Sequence, residues 1–314
     1  MQVRRQQENT PNLIVILGPT ASGKTALGVQ LARDLKGEII SADSRQVYRG
    51  MDLGTGKDLA EYKEIQHHLI DIRDPGYEYN LYEFQLNFHE AFRKVSAKNK
   101  IPILVGGSGL YLDAIVFNYQ IQTVPIDETL RKELAALSLE QLQERLRSGR
   151  GRLHNTTDLQ SRTRLVRAIE IAEFSETTPV KKKHLQKMNP LIFGLQWEPE
   201  QLKKRIAKRL TQRMDQGMIA EARRLHERGL SYEKMEYYGL EYKFLARYLK
   251  GELNKNDMTQ KLHSAICQFA KRQRSWFRRM ERKGAKIHWL TQSATFHSEA
   301  MKTLREFKIL DSTI

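Results

Sequence analysis

The sequence predicts an α/β fold in which a parallel sheet is flanked by helices and interrupted by a mostly helical insertion. Three short apolar runs, at residues 13–17, 38–41 and 101–105, have the length and β-branched content of buried parallel strands. Segments with the helical period, 26–35 and 81–95, lie between them. Such alternation of strands and helices favours a parallel sheet that is covered on both faces.

The first apolar run leads into a glycine-bounded loop. Gly18 and Gly23 are separated by four residues, and Lys24 and Thr25 follow directly, which is the spacing of a P-loop. Such a loop turns its N–H groups toward a phosphate, while Lys24 adds positive charge and the hydroxyl of Thr25 is placed to meet Mg2+. The pattern predicts a P-loop NTPase-like sheet with a phosphate site, for a nucleoside triphosphate or for another diphosphate.

Two later strands also end in residues suited to a ligand site. Asp43 follows the second strand, and Gly106-Gly107-Ser108 follows the third. Ligands gather at the carboxyl ends of parallel strands, so Asp43 and Ser108 are expected to face the P-loop. Each segment could instead form a plain turn. The third strand lacks the terminal aspartate of an ATPase metal site, although Asp71 is an alternative for that role.

The positive charge lies in one half of the chain. The 314 residues carry a formal net charge of +16, yet residues 1–150 hold 19 basic and 19 acidic side chains, so the whole excess lies in residues 151–314. A one-sided field of this kind favours a polyanion larger than a nucleotide, because neutralised phosphates release counterions. A set of solvated basic helices is the alternative.

The chain changes character at Thr123, where a charged helical segment begins. We divide the sequence into a first part of the core (1–122), a helical insertion (123–190) and a second part of the core (191–314). The insertion contains a basic amphipathic helix from Ser161 to Phe174, and the strand pattern returns at 191–197.

Two helices of the second core part carry basic residues at helical spacing. Arg205 and Arg209 lie four residues apart, a spacing that can direct two guanidinium groups at one anion. A later helix, 257–282, combines an apolar stripe with a basic face that could follow a phosphate backbone. The basic face consists of Lys271, Arg274, Arg278 and Arg282.

Cysteine usage and hydropathy indicate the compartment. Cys267 is the single cysteine, which excludes a disulfide framework and suits a reducing cytoplasm. The N-terminal segment is basic and polar, and the apolar run that follows it is too short to span a bilayer. We therefore expect a cytoplasmic protein without a membrane anchor.

Taken together, the motifs resemble those of the tRNA dimethylallyltransferases, also called tRNA isopentenyltransferases. The resemblance extends over nearly the whole chain and is far more specific than the P-loop alone. It is carried by GPTASGKT at 18–25, ADSRQVYRGMDLGTGK at 42–57, HHLID at 67–71, GGSGLY at 106–111, RLVRAIE at 164–170 and AKRQRSWFRR at 270–279.

The resemblance implies transfer of a dimethylallyl group from dimethylallyl diphosphate to N6 of the adenosine 3′-adjacent to the anticodon, in tRNAs reading codons that begin with U. It implies a P-loop that holds the diphosphate together with Mg2+ on Thr25, a general base at Asp43, and Arg209 near the diphosphate. Ser108 is placed among the catalytic residues. The anticodon stem-loop of tRNA and dimethylallyl diphosphate are the implied partners, and we expect a monomer.

The resemblance also assigns residues to the two substrates. The diphosphate would be bound by Gly18, Pro19, Thr20, Ala21, Ser22, Gly23, Lys24 and Thr25. The tRNA would be contacted by Asp43, Ser44, Arg45, Gln46, Ser108, Arg131, Thr163, Arg164, Leu165, Val166 and Arg167.

The sequence departs from the family pattern at two positions. Ser108 stands where the family commonly has threonine, which keeps the hydroxyl and loses a methyl group. Leu240 stands where the family usually has tyrosine, which removes an aromatic hydroxyl.

Three other functions use some of the same features. A small-molecule P-loop kinase needs neither the insertion nor the excess charge. An adenylate isopentenyltransferase shares the chemistry but acts on a free nucleotide and should lack basic helices for tRNA. A non-catalytic RNA-binding protein would not need Asp43 and the P-loop together.

Overall fold

The computed structural model of the protein describes residues 10–121, 124–149, 159–177, 186–291, 294–307 and 309. The chain divides into two compact units, one of residues 1–119 and 185–314 and one of residues 120–184. The limits of the insertion expected from sequence, 123 and 190, lie near these boundaries. Its assignment to tRNA stays a prediction, and the N-terminal segment read for targeting lies outside the described residues.

The first unit is built on a six-stranded sheet in which every neighbouring pair is parallel, in the order β3-β2-β4-β1-β5-β6. The strands are β1 (Leu13–Leu17), β2 (Glu38–Ala42), β3 (His67–His68), β4 (Pro102–Gly106), β5 (Pro190–Leu195) and β6 (Ile287–Leu290). The α/β fold class and the parallel sheet predicted from sequence are confirmed.

The third strand is shorter than its sequence pattern suggests. The pattern predicts a strand from His67 to about Asp71, whereas only His67 and His68 pair with β2. Leu69 and Asp71 have φ angles of 64° and 55°, in the left-handed region, which ends an extended strand.

The helices within the described residues alternate with the strands in the first half of the unit and follow one another in the second. They are α1 (Lys24–Asp34), α2 (Leu81–Ala97), α3 (Gly109–Val116), α4 (Glu128–Ala135), α5 (Leu139–Ser148), α6 (Arg162–Thr177), α7 (Pro199–Asp215), α8 (Met218–Glu227), α9 (Tyr232–Tyr237), α10 (Leu240–Leu249), α11 (Lys255–Arg282) and α12 (Phe296–Glu306). No helix in the described ranges is both long enough and apolar enough to cross a membrane.

The strands are apolar on both faces because helices cover the sheet on both sides. Leu13, Val15 and Leu17 of β1 point into a core shared with α2, α3 and the helices from α7 to α11. Ile14 and Ile16 point into a second core, which α1 and α12 complete. This two-sided burial leaves the carboxyl edge of the sheet as the place where polar loops meet.

The second unit contains α4, α5 and α6 around a separate apolar core. That core consists of Leu130, Leu134, Leu142, Leu146, Leu165 and Ile169, all buried. The sequence reads as one charged helix from Asp127 to Leu146, but the structure divides it. Ser138 forms a capping box with Gln141, which ends one helix and begins the next.

Candidate functional site

The register of the sheet brings three loops together at the carboxyl edge. Gly106, the last residue of β4, pairs with Leu17 of β1 on one side and with Ala42 of β2 on the other. Gly18, Asp43 and Gly107 are the next residues of their chains. The P-loop, Asp43 and the glycine-rich loop that carries Ser108 therefore meet at one edge, as the strand pattern predicts.

The P-loop holds two residues in the left-handed region, Ala21 with φ 60° and Gly23 with φ 91°. An alanine in this region is uncommon, so the surrounding structure must stabilise the turn. Four polar contacts involve consecutive loop residues from Pro19 to Ser22. They are Lys24 Nζ to the Pro19 carbonyl (3.2 Å), the Thr20 N–H to Gln273 Oε1 (2.8 Å), Arg205 Nε to the Ala21 carbonyl (2.8 Å) and Trp197 Nε1 to the Ser22 carbonyl (2.9 Å).

Arg205 and Trp197 form a single brace behind the loop. The Arg205 guanidinium lies 4.3 Å from the centroid of the Trp197 ring, while both side chains donate to loop carbonyls. The sequence predicts that Arg205 and Arg209 direct their guanidinium groups at one anion. This prediction is wrong for Arg205, because its guanidinium lies against Trp197 and supports the loop from outside.

Gln273 joins the P-loop to the glycine-rich loop. Its Oε1 accepts from the Thr20 N–H, and its Nε2 donates to the Gly107 carbonyl at 2.9 Å. The opposite amide orientation would oppose donor to donor and acceptor to acceptor, so this one is imposed. A Cβ on Gly107 would lie 2.4 Å from Nε2, which explains the glycine. Ser108 Oγ in turn accepts from the Ser44 N–H at 3.1 Å, beside Asp43.

Asp43 has a fixed local geometry. Its Oδ1 accepts the N–H of Arg45 at 2.9 Å, which forms the turn that the sequence allowed as an alternative. The capping contact occupies one carboxylate oxygen. The negative charge of Asp43 nevertheless acts on Lys24 and raises its pKa, so the carboxylate lies within electrostatic reach of the P-loop lysine.

Lys24 lies among more positive than negative groups. Burial and the nearby Arg209 lower its pKa from 10.5 to about 8, even though Asp43 and Asp58 act in the opposite direction. Arg213 also lowers the pKa. This uncompensated positive charge is the condition under which an anionic ligand binds well.

Asp58 holds the two arginines of α7 that face this edge. Arg209 Nη2 donates to Asp58 Oδ2 and to the Gly56 carbonyl, and Arg213 Nη2 lies 3.3 Å from Asp58 Oδ1. Arg213 is 8% exposed, and within the described part of the chain its Nε has no hydrogen-bond partner. Arg209 therefore lies where the sequence places it, next to the phosphate loop.

The loop that carries Asp58 is anchored by two buried ionised groups. Lys57 is completely buried and donates to the Tyr48 carbonyl (2.6 Å), to Asp52 (2.6 Å) and to Asp71. Glu221 accepts the N–H groups of residues 52, 53 and 54 and the hydroxyl of Tyr242. Lys57 is thus neither an exposed nor an anion-binding lysine, and Asp71 serves Lys57 instead of standing ready for a metal ion.

A pocket of about 280 Å³, open to solvent, adjoins the P-loop at Thr20 and Ala21. Its apolar wall comes from Ile206, Leu210 and Ile266, whereas Arg209, Arg213 and Glu241 supply charge. Burial raises the pKa of Glu241, and Arg213 and Arg209 oppose that effect. The pocket therefore combines an apolar surface with guanidinium groups beside the phosphate loop.

The first turn of α1 offers one oxygen ligand for a metal ion. Thr25 is half-buried and its side chain shares a hydrogen bond with the Tyr62 hydroxyl. Among the described residues, no group of three or more histidine, cysteine, aspartate or glutamate side chains is arranged to hold a metal. A divalent ion here would take most of its ligands from phosphate oxygens and water, which is how Mg2+ commonly binds.

The residues predicted to contact tRNA have different surroundings. Ser44 and Arg45 are half-buried at the carboxyl edge. Gln46 is 9% exposed, and its amide bonds Ser41 and the Gly56 carbonyl, so it acts within the protein. Within the second unit, Thr163 and Arg164 are exposed and Val166 is half-buried. The Leu165 side chain is completely buried in the apolar core, so its predicted contact with tRNA is wrong for the side chain.

Arg131 and Arg167 converge on one buried carboxylate. Arg131 forms a two-point ion pair with Glu170 at 2.6 and 3.0 Å, and Arg167 Nη1 lies 2.9 Å from the same carboxylate. Arg167 also donates to the Val124 carbonyl at 2.7 Å. Burial would raise the pKa of Glu170, but these bonds outweigh burial and lower it. Both arginines therefore stabilise the second unit, and their contact with tRNA stays a prediction.

Sequence reasoning missed four residues at this edge: Trp197, Arg213, Asp58 and Gln273. Gln273 lies inside the motif AKRQRSWFRR, but its position 253 residues from Thr20 gives no local signal of contact. Arg213 continues the four-residue spacing of Arg205 and Arg209, which is the one signal that could have found it.

The fold and this edge define a P-loop α/β protein whose phosphate cradle lies beside an aspartate, a serine and two arginines. Comparison with known proteins makes the class specific. Residues 46–280 match the family described as IPP transferase, and residues 11–73 match the family described as isopentenyl transferase.

Two curated relatives and one solved structure illustrate the similarity. The tRNA dimethylallyltransferase 1 of Geotalea uraniireducens is 58% identical and covers 94% of this chain and 97% of its own. That of Geotalea daltonii is 56% identical, covering 95% and 96%. The crystal structure of a tRNA isopentenylpyrophosphate transferase from Bacillus halodurans has a TM-score of 0.68 and 31% identity, covering 96% of this chain and 99% of that one. The chain belongs to the tRNA dimethylallyltransferase (IPP transferase) family.

Proposed function

We propose that the protein transfers the dimethylallyl group of dimethylallyl diphosphate to N6 of the adenosine 3′-adjacent to the anticodon of tRNAs that read codons beginning with U. The products are N6-dimethylallyladenosine in tRNA and diphosphate. The observation that supports this assignment best is the meeting of the P-loop, Asp43 and Ser108 at one edge of the sheet in a member of this family.

The donor would lie with its diphosphate in the P-loop. The loop N–H groups, Lys24 and Arg209 would stabilise the negative charge that grows as the allylic C–O bond breaks and its electron pair moves to the diphosphate. The apolar wall of Ile206, Leu210 and Ile266 suits a five-carbon chain next to that anion. To reach the diphosphate, Arg209 would exchange part of its contact with Asp58.

The acceptor would approach from the side of Asp43. The lone pair of the exocyclic N6 forms the new C–N bond, and the carboxylate of Asp43 takes the proton that nitrogen loses. Ser108 lies between the two loops, with its Oγ 3.1 Å from the Ser44 nitrogen, and would orient the base. The adenine must leave the stack of the anticodon loop to reach this edge.

Mg2+ is the proposed cofactor. Thr25 would hold it together with diphosphate oxygens, where it would neutralise charge on the leaving group. We also propose that the enzyme works as a monomer in the cytoplasm.

One experiment separates the candidate activities. The purified protein is incubated with Mg2+, labelled dimethylallyl diphosphate and either unmodified tRNA or AMP, and separately with ATP. Labelled tRNA is the expected result. Labelled AMP would indicate an adenylate isopentenyltransferase, and consumption of ATP without prenylation would indicate a kinase. Neither alternative is favoured by the family to which the chain belongs.

A further inference from the structure

Two exposed tyrosines lie on the first unit, and each has an arginine over its ring. Tyr237 is 46% exposed, and the Arg45 guanidinium lies 5.0 Å from its ring centroid. Tyr77 is 44% exposed, and the Arg73 guanidinium lies 5.1 Å from its ring centroid. Among the described residues, these are the two tyrosines with strongly exposed rings.

Tyr238 connects the two pairs into one surface. Its buried ring contacts Tyr237 edge to face, with centroids 5.5 Å apart, and its hydroxyl accepts the N–H of Gly76, the neighbour of Tyr77. It also packs edge-on against buried Tyr48 at 4.7 Å. The exposed rings therefore project from a rigid base and are held in place without a ligand.

This surface adjoins the proposed acceptor side of the site. The N–H of Arg45 donates to the Asp43 carboxylate, so one arginine of the surface is two residues from the proposed base. Arg73 follows β3 at the same carboxyl edge of the sheet. Whatever approaches Asp43 from solvent passes the tyrosine-arginine pairs.

We propose that Arg45, Arg73, Tyr77 and Tyr237 form a stacking surface for the unpaired nucleobases that flank the target adenosine. The inference rests on the proposed function and specifies which part of the RNA meets this surface. Aromatic rings and guanidinium planes both stack on nucleobases, and single-stranded loops are where RNA offers unstacked bases. When the target base leaves the loop, its neighbours lose a stacking partner that these rings replace.

The hydroxyl groups of these tyrosines are not the feature offered to RNA. The Tyr77 hydroxyl is already bonded to the Glu83 carboxylate, so its free face is the ring. Phenylalanine should therefore replace tyrosine at either position with little loss, whereas leucine should not. This difference separates stacking from hydrogen bonding.

The test is a cycle that combines protein variants with RNA variants. Parent protein, Tyr237→Leu, Tyr237→Phe, Tyr77→Leu and Tyr77→Phe are assayed for kcat/KM on an anticodon stem-loop. The same stem-loop is then used with one abasic nucleotide at each position flanking the target adenosine. Phe307→Leu, which removes an exposed aromatic ring elsewhere in the first unit, is the matched control.

We expect Tyr237→Leu to lower kcat/KM for the RNA about tenfold, as for the loss of one stacked base, and to leave KM for dimethylallyl diphosphate unchanged. The penalty should disappear when the partner base is abasic, and Tyr237→Phe and Phe307→Leu should behave like the parent. A Tyr237→Leu penalty that persists on every abasic RNA, or an equal penalty from Tyr237→Phe, would overturn the proposal.

Binding measured without chemistry keeps this inference distinct from the proposed function. Affinity of the same variants for the fluorescent stem-loop is measured by anisotropy in the absence of donor. If the parent prenylates no tRNA, the proposed function fails. The base-dependent loss of affinity in Tyr237→Leu would still support the stacking surface, and its absence would overturn it. Unchanged thermal midpoints verify that each variant is folded.

Discussion

Strand β2 has a charged cluster at each end, and the two clusters differ in how their charges are balanced. At its start, buried Glu38 is bonded to Lys98 (3.1 Å), Lys100 (2.9 Å) and His68 (2.8 Å). Burial would raise the pKa of Glu38, but these bonds outweigh it and lower the pKa to about 2. Just beyond its end, Asp43 faces Lys24, whose pKa is lowered to about 8 by burial and by Arg209.

The difference separates stability from function within one strand. At the start of β2 the charged partners satisfy the buried carboxylate, and the cluster gains from being ionised. At the end of β2 the cations outnumber the carboxylates, so Lys24 is held in an unfavourable charged state. Only an added anion relieves that state, which identifies the carboxyl edge as the place where a diphosphate should bind.

The largest expected effect is on catalysis at Asp43. Asp43→Asn keeps an oxygen to accept the Arg45 N–H but cannot take a proton, so turnover should fall by about 10² to 10⁴-fold. Single-turnover prenylation of tRNA measures the rate, and Asp43→Ala, which also loses the turn contact, serves as the comparison. Affinity for the donor should change less than about threefold, because no contact with diphosphate is removed. Asp43→Asn turnover close to that of the parent would remove Asp43 as the base.

At the opposite end of the strand, Glu38→Gln should lower stability without affecting chemistry. A pKa of about 2 against an ordinary 4.5 means that the ionised carboxylate stabilises the fold above pH 4.5, and that this contribution disappears as the pH falls from about 4.5 to about 2. The size of the shift corresponds to about 3 kcal/mol at pH 7.

Urea unfolding of the parent and of Glu38→Gln at pH 7 and near pH 3 measures this contribution. The difference between the two proteins should shrink at the lower pH, while turnover of the folded variant stays at the parent value. A difference that is independent of pH would contradict the assignment of the effect to the Glu38 charge.

A smaller loss is expected when the two loops of the carboxyl edge are uncoupled. Gln273→Met removes both bonds to Thr20 and Gly107, and the resulting misalignment of donor and acceptor should lower turnover by about 10 to 100-fold. Gln273→Glu keeps an acceptor for the Thr20 N–H but opposes the Gly107 carbonyl. It should retain donor affinity better than Gln273→Met while turnover is still reduced. If KM for both substrates and turnover are unaffected in Gln273→Met, the bridge has no positioning role.

The smallest expected effect is a proton taken up when the donor binds. With a pKa of about 8, Lys24 is about half deprotonated at pH 8, and the bound diphosphate should raise that pKa again. Calorimetry in buffers of different ionisation enthalpy should show uptake of up to about half a proton at pH 8 and much less at pH 6.5. Lys24→Arg keeps the charge and should abolish the uptake. Equal uptake in Lys24→Arg would assign the proton to another group.

Local patterns were sufficient to predict the sheet, the P-loop and the position of Asp43. The strands are marked by apolar runs, and the carboxyl edge follows from parallel pairing. The early end of β3 was not predictable from its apolar residues, because Leu69 adopts a left-handed φ that its residue type disfavours.

The supporting contacts of the site could not be read from the sequence, because they join distant segments. A basic side chain at helical spacing looks the same whether it meets an anion, as Arg209 is expected to, or braces a loop, as Arg205 does. Lys57 shows the same limit, since nothing near it in the sequence indicates complete burial between two carboxylates. Residue type predicts chemistry here, and only the tertiary contacts decide its use.

The brace of the P-loop has a consequence for synthesis of the protein. Loop residues 20–22 are held by Trp197, Arg205 and Gln273, which lie 175 to 253 positions further along the chain. A chain emerging from the ribosome displays the loop long before any of these side chains exists. The cradle therefore becomes competent only when α11 has been translated and has docked, and a protein truncated before that helix should not retain the donor.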